Sequence, residues 1–94
     1  MSYFVYIITN NKSNTILYIG VTNDIIRRLY EHKKASLKGF SKKYNIHRLL
    51  YFEEYKDVNI AIAREKQLKN WHRQWKLNLI KQTNPDFKDL SESF

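Results

Sequence analysis

Residues 18–32 read YIGVTNDIIRRLYEH and decide how the chain folds. The first of them form an extended apolar run that is interrupted by Gly20. Residues 22–24 (TND) then offer side-chain oxygens that can cap the first turn of a helix, and apolar residues recur four apart from Ile25 onward. The stretch therefore predicts a strand that leads directly into a helix.

Three side chains useful for chemistry are brought together by this strand and helix. Arg28 and His32 are four residues apart, so they share one face of the predicted helix. That helix returns over the strand that carries Tyr18. A phenol, a guanidinium and an imidazole within reach of one another suit a phosphodiester substrate, because a guanidinium binds phosphate oxygens in a fixed geometry.

A second strand precedes this one in the chain. Residues 3–9 (YFVYIIT) are apolar, aromatic and β-branched, and a turn-rich segment separates them from residues 16–21. The two runs predict a β-hairpin in which Tyr6 and Tyr18 lie on neighbouring strands. Gly20, two residues after Tyr18, lies on the same face of the strand. Because glycine has no side chain, this face is open beside the phenol of Tyr18.

These motifs resemble those of the GIY-YIG endonucleases. The chain has VYI at residues 5–7, YIG at residues 18–20, and Arg28 ten residues after Tyr18. The resemblance is to the small stand-alone members related to the N-terminal nuclease domain of excinuclease C. Two positions depart from the family pattern, since no glycine precedes Tyr6 and Val21 stands where some members have lysine.

The rest of the chain predicts one loop, one strand and two helices. Residues 37–45 lack a sustained period and predict a loop, and residues 48–55 predict a third strand. Asp57 or Asn59 is the predicted cap of the next helix. The core-facing stripe of that helix is predicted to be Ile60, Ala63, Leu68 (or Gln67), Trp71 and Trp75.

The amphipathic stretch at residues 71–80 is either a continuation of that helix or a separate one, and we favour a separate helix. Asn84-Pro85 ends it. The predicted fold is α+β with the order β-β-α-β-α-α, and the resemblance implies a small three-stranded antiparallel sheet flanked by helices. We divide the chain into a nuclease-like domain at residues 1–85 and an acidic C-terminal tail at residues 86–94, which Phe87 and Leu90 anchor.

Length and composition narrow the class of protein. The chain has 94 residues, which is enough for one domain with a modest core. It has no cysteine, which excludes a thiolate zinc site, a disulfide framework and a cysteine nucleophile. No run approaches the ~18 apolar residues of a membrane span, and no secretory signal is apparent. We expect a cytoplasmic protein without a membrane partner or a small-molecule cofactor.

The net charge of +8 is concentrated in two blocks. Residues 27–48 hold eight Lys or Arg against Glu31, and residues 59–82 hold six against Glu65. Such blocks, interleaved with aromatic residues, predict binding to DNA, with RNA as the alternative partner. The predicted nucleic-acid-binding residues are Arg27, Lys33, Lys34, Lys38, Phe40, Lys42, Lys43, Tyr44 and Lys69.

The resemblance also implies a catalytic set. Its predicted members are Tyr6, Tyr18, Arg28, His32, Glu65 and Asn84, with Asn78 as the second choice for the late asparagine. Tyr6 would be a general base or proton relay, Tyr18 would hydrogen-bond the phosphate or the attacking water, and Arg28 would hold the scissile phosphate. His32 would assist.

Glu65 is the predicted metal ligand. It is the only carboxylate of its predicted helix, and hydrated Mg²⁺ or Mn²⁺ commonly takes one or two carboxylates. The alternative for Glu65 is an ion pair with Lys69, four residues later.

The predicted function is a metal-dependent DNA endonuclease. It would hydrolyse phosphodiester bonds with selectivity for DNA structure or weak sequence specificity, in DNA repair or recombination. The alternative is a catalytically silent nucleic-acid-binding module, for DNA or RNA, with the same fold. A binder has no need of a carboxylate that faces phosphates, so the intact set with Glu65 favours the enzyme.

Overall fold

A computed structural model describes residues 1–10, 16–35 and 46–94 of the chain. Within these residues, the strands are β1 (Tyr3–Asn10), β2 (Leu17–Thr22) and β3 (Ile46–Tyr55). The α-helices in the same ranges are α1 (Ile25–Ala35), α2 (Val58–Asn70) and α3 (Arg73–Thr83), and a short 3-10 helix follows at Leu90–Ser93. The predicted loop at residues 37–45 lies outside the described residues.

The three strands of the described chain form one antiparallel sheet in the order β2-β1-β3. The predicted fold class and element order, β-β-α-β-α-α, are confirmed. In the hairpin, Tyr6 pairs directly with Gly20, and Ile8 pairs with Tyr18. The central strand therefore carries the tyrosine of the first motif, and the edge strand β2 carries the second motif.

Strand β1 is buried on both of its faces. Val5 and Ile7 pack in one cluster with Leu68 of α2 and Ile80 of α3. Tyr6 and Ile8, which lie on the opposite face of the strand, pack in a second cluster with Ile25 and Leu29 of α1. Because side chains alternate along a strand, α1 covers one face of the sheet while α2 and α3 cover the other.

The sequence signals for helix ends are confirmed. The Asp24 carboxylate accepts a hydrogen bond from the backbone N–H of Arg27 at 3.0 Å, and Asp57 caps α2 by accepting from the N–H of Asn59 at 2.7 Å. Helix α2 ends where Trp71 takes an extended backbone conformation, so the last two helices are separate as predicted. Helix α3 ends before Asn84-Pro85.

The predicted core-facing stripe of α2 is confirmed at Leu68 and Trp71 and wrong at Ile60, Ala63 and Trp75. The buried residues of this helix are Ala61 and Leu68, whereas Ala63 is exposed and Ile60 is 55% exposed. Trp75, now on α3, is 54% exposed. The stripe that packs on the sheet therefore runs through residues 61, 65 and 68 and not through residues 60 and 63.

An ion pair joins β3 and α2 in this orientation. The Arg64 guanidinium donates to both oxygens of Glu53, with Nε–Oε1 at 2.9 Å and Nη2–Oε2 at 3.0 Å. The hydroxyls of Tyr51 and Tyr55 also donate to Glu53. Burial alone would raise the pKa of the Glu53 carboxyl, but these four bonds outweigh it and lower the pKa. The charged pair thus fixes Arg64 toward β3, and Glu65 follows beside it.

Strand β3 contains a β-bulge at Leu50. Ile7 pairs with Tyr51 while Ile8 pairs with Leu49, so Leu50 is an extra residue in the strand. Its carbonyl accepts a hydrogen bond from Asn84 Nδ2 at 3.1 Å. The bulge places Leu50 and Tyr51 against the same cluster as α2 and α3, and Leu49 against the cluster of α1.

The last residues fold back over the sheet. Phe87 packs on the cluster of α2 and α3, and Leu90 packs on the cluster of α1, which confirms the predicted anchors. Asp89 accepts hydrogen bonds from the backbone N–H groups of Leu49 at 3.1 Å and Ser91 at 3.0 Å. Among the described helices, none is long and apolar enough to cross a membrane.

A side chain at Gly20 of β2 would meet the phenol of Tyr6. A Cβ built at Gly20 lies 2.4 Å from the Tyr6 hydroxyl and 2.5 Å from its Cζ. Tyr6 is 1% exposed, so its ring has no free space to enter. We expect Gly20→Ala to lower the free energy of unfolding by ~1–3 kcal/mol, the usual cost of overpacking.

Urea denaturation of Gly20→Ala measures this cost. Tyr6→Phe is the control, because it removes the hydroxyl oxygen that the new Cβ would meet first. The double variant should recover part of the loss. An unchanged unfolding midpoint in Gly20→Ala would contradict the close approach of the two residues.

Candidate active site

The hydroxyl of Tyr6 is the centre of the candidate site. Arg28 Nε donates to it at 3.2 Å, and His32 Nε2 lies 3.1 Å from it. Arg28 and His32 reach the same atom because they are one turn apart on α1, which packs on the face of β1 that carries Tyr6. The structure therefore brings Arg28 and His32 together as predicted, but the phenol that they bond is that of Tyr6 and not that of Tyr18.

Burial and charge set the protonation of this group. Burial, and then the charge of Arg28, lower the pKa of His32 to about 4, so its imidazole is neutral at pH 7. Burial also raises the pKa of Tyr6 against the opposing effect of Arg28, so Tyr6 is a neutral phenol. Arg28 can only donate, so the Tyr6 oxygen accepts from its Nε, while the direction of the Tyr6–His32 hydrogen bond depends on which imidazole nitrogen carries the proton.

Tyr18 lies against the same imidazole. Its ring centroid is 5.5 Å from that of His32, and the Tyr6 ring is 5.9 Å from His32, both in edge-on arrangements. Tyr18 is 42% exposed. Arg28 is also accessible, with 38% of its side chain exposed and Nη1 3.4 Å from Glu31 Oε1. The buried phenol therefore has one aromatic and one cationic neighbour that solvent reaches.

Glu65 lies within electrostatic reach of Tyr6. Its negative charge is among the influences that raise the pKa of the Tyr6 phenol. On α2 it lies between the buried residues Ala61 and Leu68, and 15% of its side chain is exposed. Its Oε2 pairs with Lys69 Nζ at 3.3 Å, the ion pair expected from their spacing.

The described residues fit a metal that needs few protein ligands. No group of three or more His, Cys, Asp or Glu side chains in this part of the chain could hold an ion. Mg²⁺ keeps several waters and takes one or two carboxylates, so Glu65 alone satisfies its requirement. A zinc site with three or four protein ligands does not fit the same residues.

Asn84 is not brought to this group. It is 4% exposed, and its Nδ2 donates to the carbonyls of Leu50 and Lys88 while its Oδ1 accepts from the N–H of Lys88. These bonds stabilise the β3 bulge and the turn after α3. Asn78, the second choice, is exposed and accepts from Gln74 Nε2 at 2.9 Å.

The predicted nucleic-acid-binding residues are distributed over the surface. Arg27 is exposed and lines a shallow cavity of about 340 Å³ together with Thr22 and Val58. Lys33 and Lys34 are exposed at the end of α1, and Lys69 is exposed on α2. The others lie outside the described residues and are Lys38, Phe40, Lys42, Lys43 and Tyr44.

Sequence reasoning missed two acidic residues that support the site. Glu31 contacts Arg28, and its position three residues later on the same helix was a readable signal. Glu53 forms an ion pair with Arg64 of α2, and this partner is eleven residues away along the chain. No local pattern could have shown that second contact.

Comparison with known proteins identifies the family. A model of the GIY-YIG catalytic domain matches residues 2–78, a span that includes Tyr6, Tyr18, Arg28, His32 and Glu65. The chain belongs to the GIY-YIG family. The family predicted from the motifs is therefore confirmed.

The relatives found are small GIY-YIG proteins of similar length. The UPF0213 proteins of Staphylococcus aureus strains Mu3 and N315 (SA0446) are each 35% identical over 81 residues, covering 86% of this chain and 96% of theirs. The solution structure of UPF0213 protein BH0048 from Bacillus halodurans superimposes with a TM-score of 0.60 at 22% identity. It covers 98% of this chain and 96% of its own, and it shares the fold.

His32 gives the folded protein a pH dependence of its own. An imidazole in the unfolded chain titrates near ~6.5, whereas the pKa of His32 in the folded protein is lowered to about 4. The unfolded chain therefore binds the proton first as the pH falls, and the free energy of unfolding should decrease from about pH 6.5 to about pH 4. We expect a loss of roughly 1–2 kcal/mol after solvent screening.

Urea unfolding of the wild type, His32→Gln and His72→Gln across that range tests this. His32→Gln should lose the pH dependence, while the exposed His72 should be replaceable without effect. Glu53 and Asp89, whose carboxyl pKa values are lowered, act mainly below this window. A wild-type pH dependence in His32→Gln would contradict the burial of its imidazole.

Proposed function

We propose that this chain is a metal-dependent DNA endonuclease that hydrolyses phosphodiester bonds, with selectivity for DNA structure or weak sequence specificity. The observation that carries the proposal is the Tyr6 hydroxyl, held between Arg28 Nε at 3.2 Å and His32 Nε2 at 3.1 Å. Membership of the GIY-YIG family supports the nuclease class. We propose that it acts in DNA repair or recombination, in which branched DNA arises.

A proton relay through Tyr6 can activate the attacking water. The water would give a proton to the Tyr6 oxygen while the phenol proton passes to Nε2 of His32, which is neutral and accepts it in the tautomer that carries its proton on Nδ1. No free phenolate has to form, which matters because burial raises the pKa of Tyr6. The hydroxide attacks phosphorus, and the leaving oxygen departs with the bonding electrons. Tyr18, beside His32, orients the water or the phosphate.

Arg28 provides the fixed positive charge of the site. Its Nε is directed to Tyr6, and its exposed end is available to the non-bridging oxygens of the scissile phosphate. Negative charge grows on these oxygens as water attacks, so a cation already in place stabilises the transition state more than the ground state. Glu31 helps to hold the guanidinium in position.

Glu65 is the residue that would hold Mg²⁺ or Mn²⁺, with water completing the coordination. A bound divalent cation would supply further positive charge for the phosphoryl and leaving oxygens. In the free protein the Glu65 charge raises the pKa of Tyr6 and is paired with Lys69. Neutralising this carboxylate would remove its effect on the phenol.

Incubation of the protein with supercoiled, single-stranded and branched DNA tests the proposal directly. Each substrate is treated with Mg²⁺, with Mn²⁺ and with a chelator, and the products are resolved by electrophoresis. Metal-dependent nicking or cleavage is expected. Binding without cleavage of any substrate would instead favour the catalytically silent nucleic-acid-binding module.

Recognition of duplex DNA should be mostly electrostatic. Engaging on the order of 4–6 phosphates would make log K fall with log salt at a slope of roughly −4 to −5. A salt titration on several unrelated duplexes and one branched substrate, using Glu65→Gln to prevent cleavage, measures the slope. Tighter binding to the branched substrate is expected. A shallow slope with strong preference for one duplex sequence would point to base readout.

A further inference from the structure

An exposed aromatic cluster lies where α2 ends and α3 begins. It consists of Trp71, His72 and Trp75, and Trp75 is 54% exposed. The ring centroids of Trp71 and Trp75 are 5.9 Å apart at 83°, and those of His72 and Trp75 are 5.3 Å apart at 87°. Exposing a large indole leaves apolar area in water, so this cluster is a candidate binding surface.

One tryptophan of the cluster is fixed by the core and the other is accessible. Trp71 packs on the buried cluster of α2 and α3, and the Arg64 guanidinium lies 5.1 Å from its ring. Arg64 is itself held by the bidentate ion pair with Glu53. Trp75 leans edge-on against this fixed ring. The arrangement is therefore a rigid platform with one indole open to solvent.

The surroundings of the platform are cationic. Residues 66–83 contain five Lys or Arg and no Asp or Glu. Lys69, with 52% of its side chain exposed, and Arg73 flank the break between the helices. Lys76 Nζ donates to the backbone carbonyl of Lys69 at 3.5 Å, which places a third cation across the same break. A polyanion complements this surface, whereas a cationic or purely apolar partner does not.

We propose that this surface, formed by Trp71, His72 and Trp75 with Lys69, Arg73 and Lys76, binds unpaired bases of single-stranded DNA. Aromatic side chains in a cationic setting bind single strands by stacking on bases while the cations contact phosphates. A duplex keeps its base faces stacked internally and cannot use the indole in this way. The choice of DNA rests on the proposed function.

The platform is also linked to the candidate active site. Lys69 pairs with Glu65 at 3.3 Å, and the Glu65 charge acts on Tyr6. A single-stranded arm held by the platform would thus lie next to the residue proposed to hold the metal. The protein would select forks and flaps by their unpaired arm, and not by the sequence of the duplex.

The protein reports on this surface by its own fluorescence, because its two tryptophans are both in the platform. We would titrate the full chain with an oligothymidylate and with a blunt duplex in chelator, following indole emission and the anisotropy of labelled DNA. Oligothymidylate should quench the emission to saturation, and the duplex should bind with little quenching. Trp75→Ala should weaken single-strand binding about tenfold or more.

Two further variants make the result specific. Trp75→Phe keeps an aromatic ring and should bind single-stranded DNA within a few-fold of the wild type. Ile60→Ala removes an equally exposed apolar side chain near the start of α2 and should leave single-strand binding unchanged. Circular dichroism verifies that each variant is folded. Unaltered oligothymidylate binding by Trp75→Ala, or equal quenching by the duplex, would overturn the inference. Much tighter binding of oligouridylate would overturn the choice of DNA.

The inference and the proposed function can fail separately. Quenching by single strands needs neither the metal nor Glu65, so it would persist in a protein that never cuts DNA. Conversely, metal-dependent cleavage with no quenching at saturating single-stranded DNA would support the proposed nuclease activity and refute single-strand binding by the platform.

Discussion

Replacing Glu65 by glutamine should abolish metal-dependent cleavage of DNA, reducing it to the level seen in chelator. The substitution keeps the shape of the side chain and removes its charge, so the proposed ligand for a hydrated divalent ion is lost. DNA binding should be equal or tighter, because a negative charge near the phosphates is removed. Calorimetric titration with Mn²⁺ should show the loss of metal binding independently of cleavage.

Glu54→Gln is the matched control for this experiment. Glu54 undergoes the same chemical change at an exposed position near the end of β3, so its variant should cut DNA like the wild type. The pair of variants therefore separates a local role of Glu65 from a general effect of removing one negative charge. Cleavage by Glu65→Gln, with or without metal, would refute the assignment of this residue.

Arg28→Ala should lower the single-turnover rate of cleavage by ~10²–10³, the usual cost of losing a preorganised charge contact to the transition state. Arg27→Ala should mainly weaken DNA binding. Side chains of consecutive residues point about 100° apart on a helix. Accordingly, Arg28 donates a hydrogen bond to the Tyr6 hydroxyl, whereas Arg27 is exposed and lines the shallow cavity.

Arg27→Ala thus serves as the control for charge and helix propensity. Rates at saturating protein separate the chemical step from binding, and circular dichroism excludes unfolding of Arg28→Ala, which leaves the Tyr6 hydroxyl without its donor. Arg28→Lys keeps the charge but lacks the planar fork, so it should recover only part of the rate. The reverse ranking of Arg27 and Arg28 would show that a different arginine serves the site.

Local signals in the sequence were sufficient for much of the fold. The apolar run of β1, the caps at Asp24 and Asp57 and the stop at Pro85 each act within a few residues of the feature they determine. Helical spacing correctly predicted that Arg28 and His32 share one face, but it placed them at the strand of Tyr18, whereas both form hydrogen bonds with Tyr6 on the central strand.

Features that depend on contacts between distant strands and helices were not predictable in the same way. Helical periodicity allows several rotations of α2, and the one that occurs buries Ala61 and Leu68 and brings Arg64 to Glu53 of β3. The role of Asn84 depends on a bulge in β3 that exists only once β1 and β3 have paired. The sequence pattern therefore indicated Asn84 by its position alone, whereas its hydrogen bonds stabilise the fold.

The segment after α3 has a consequence for any shortened form of the protein. Strand β3 lies at an edge of the sheet, and this segment occupies two of its backbone groups, Leu49 N–H through Asp89 and Leu50 C=O through Asn84. Open strand edges are templates for pairing with other chains. A fragment trimmed to the family match at residues 2–78 would keep Tyr6, Arg28 and Glu65. It would also expose the edge of β3, and we expect such a fragment to aggregate through intermolecular β-pairing.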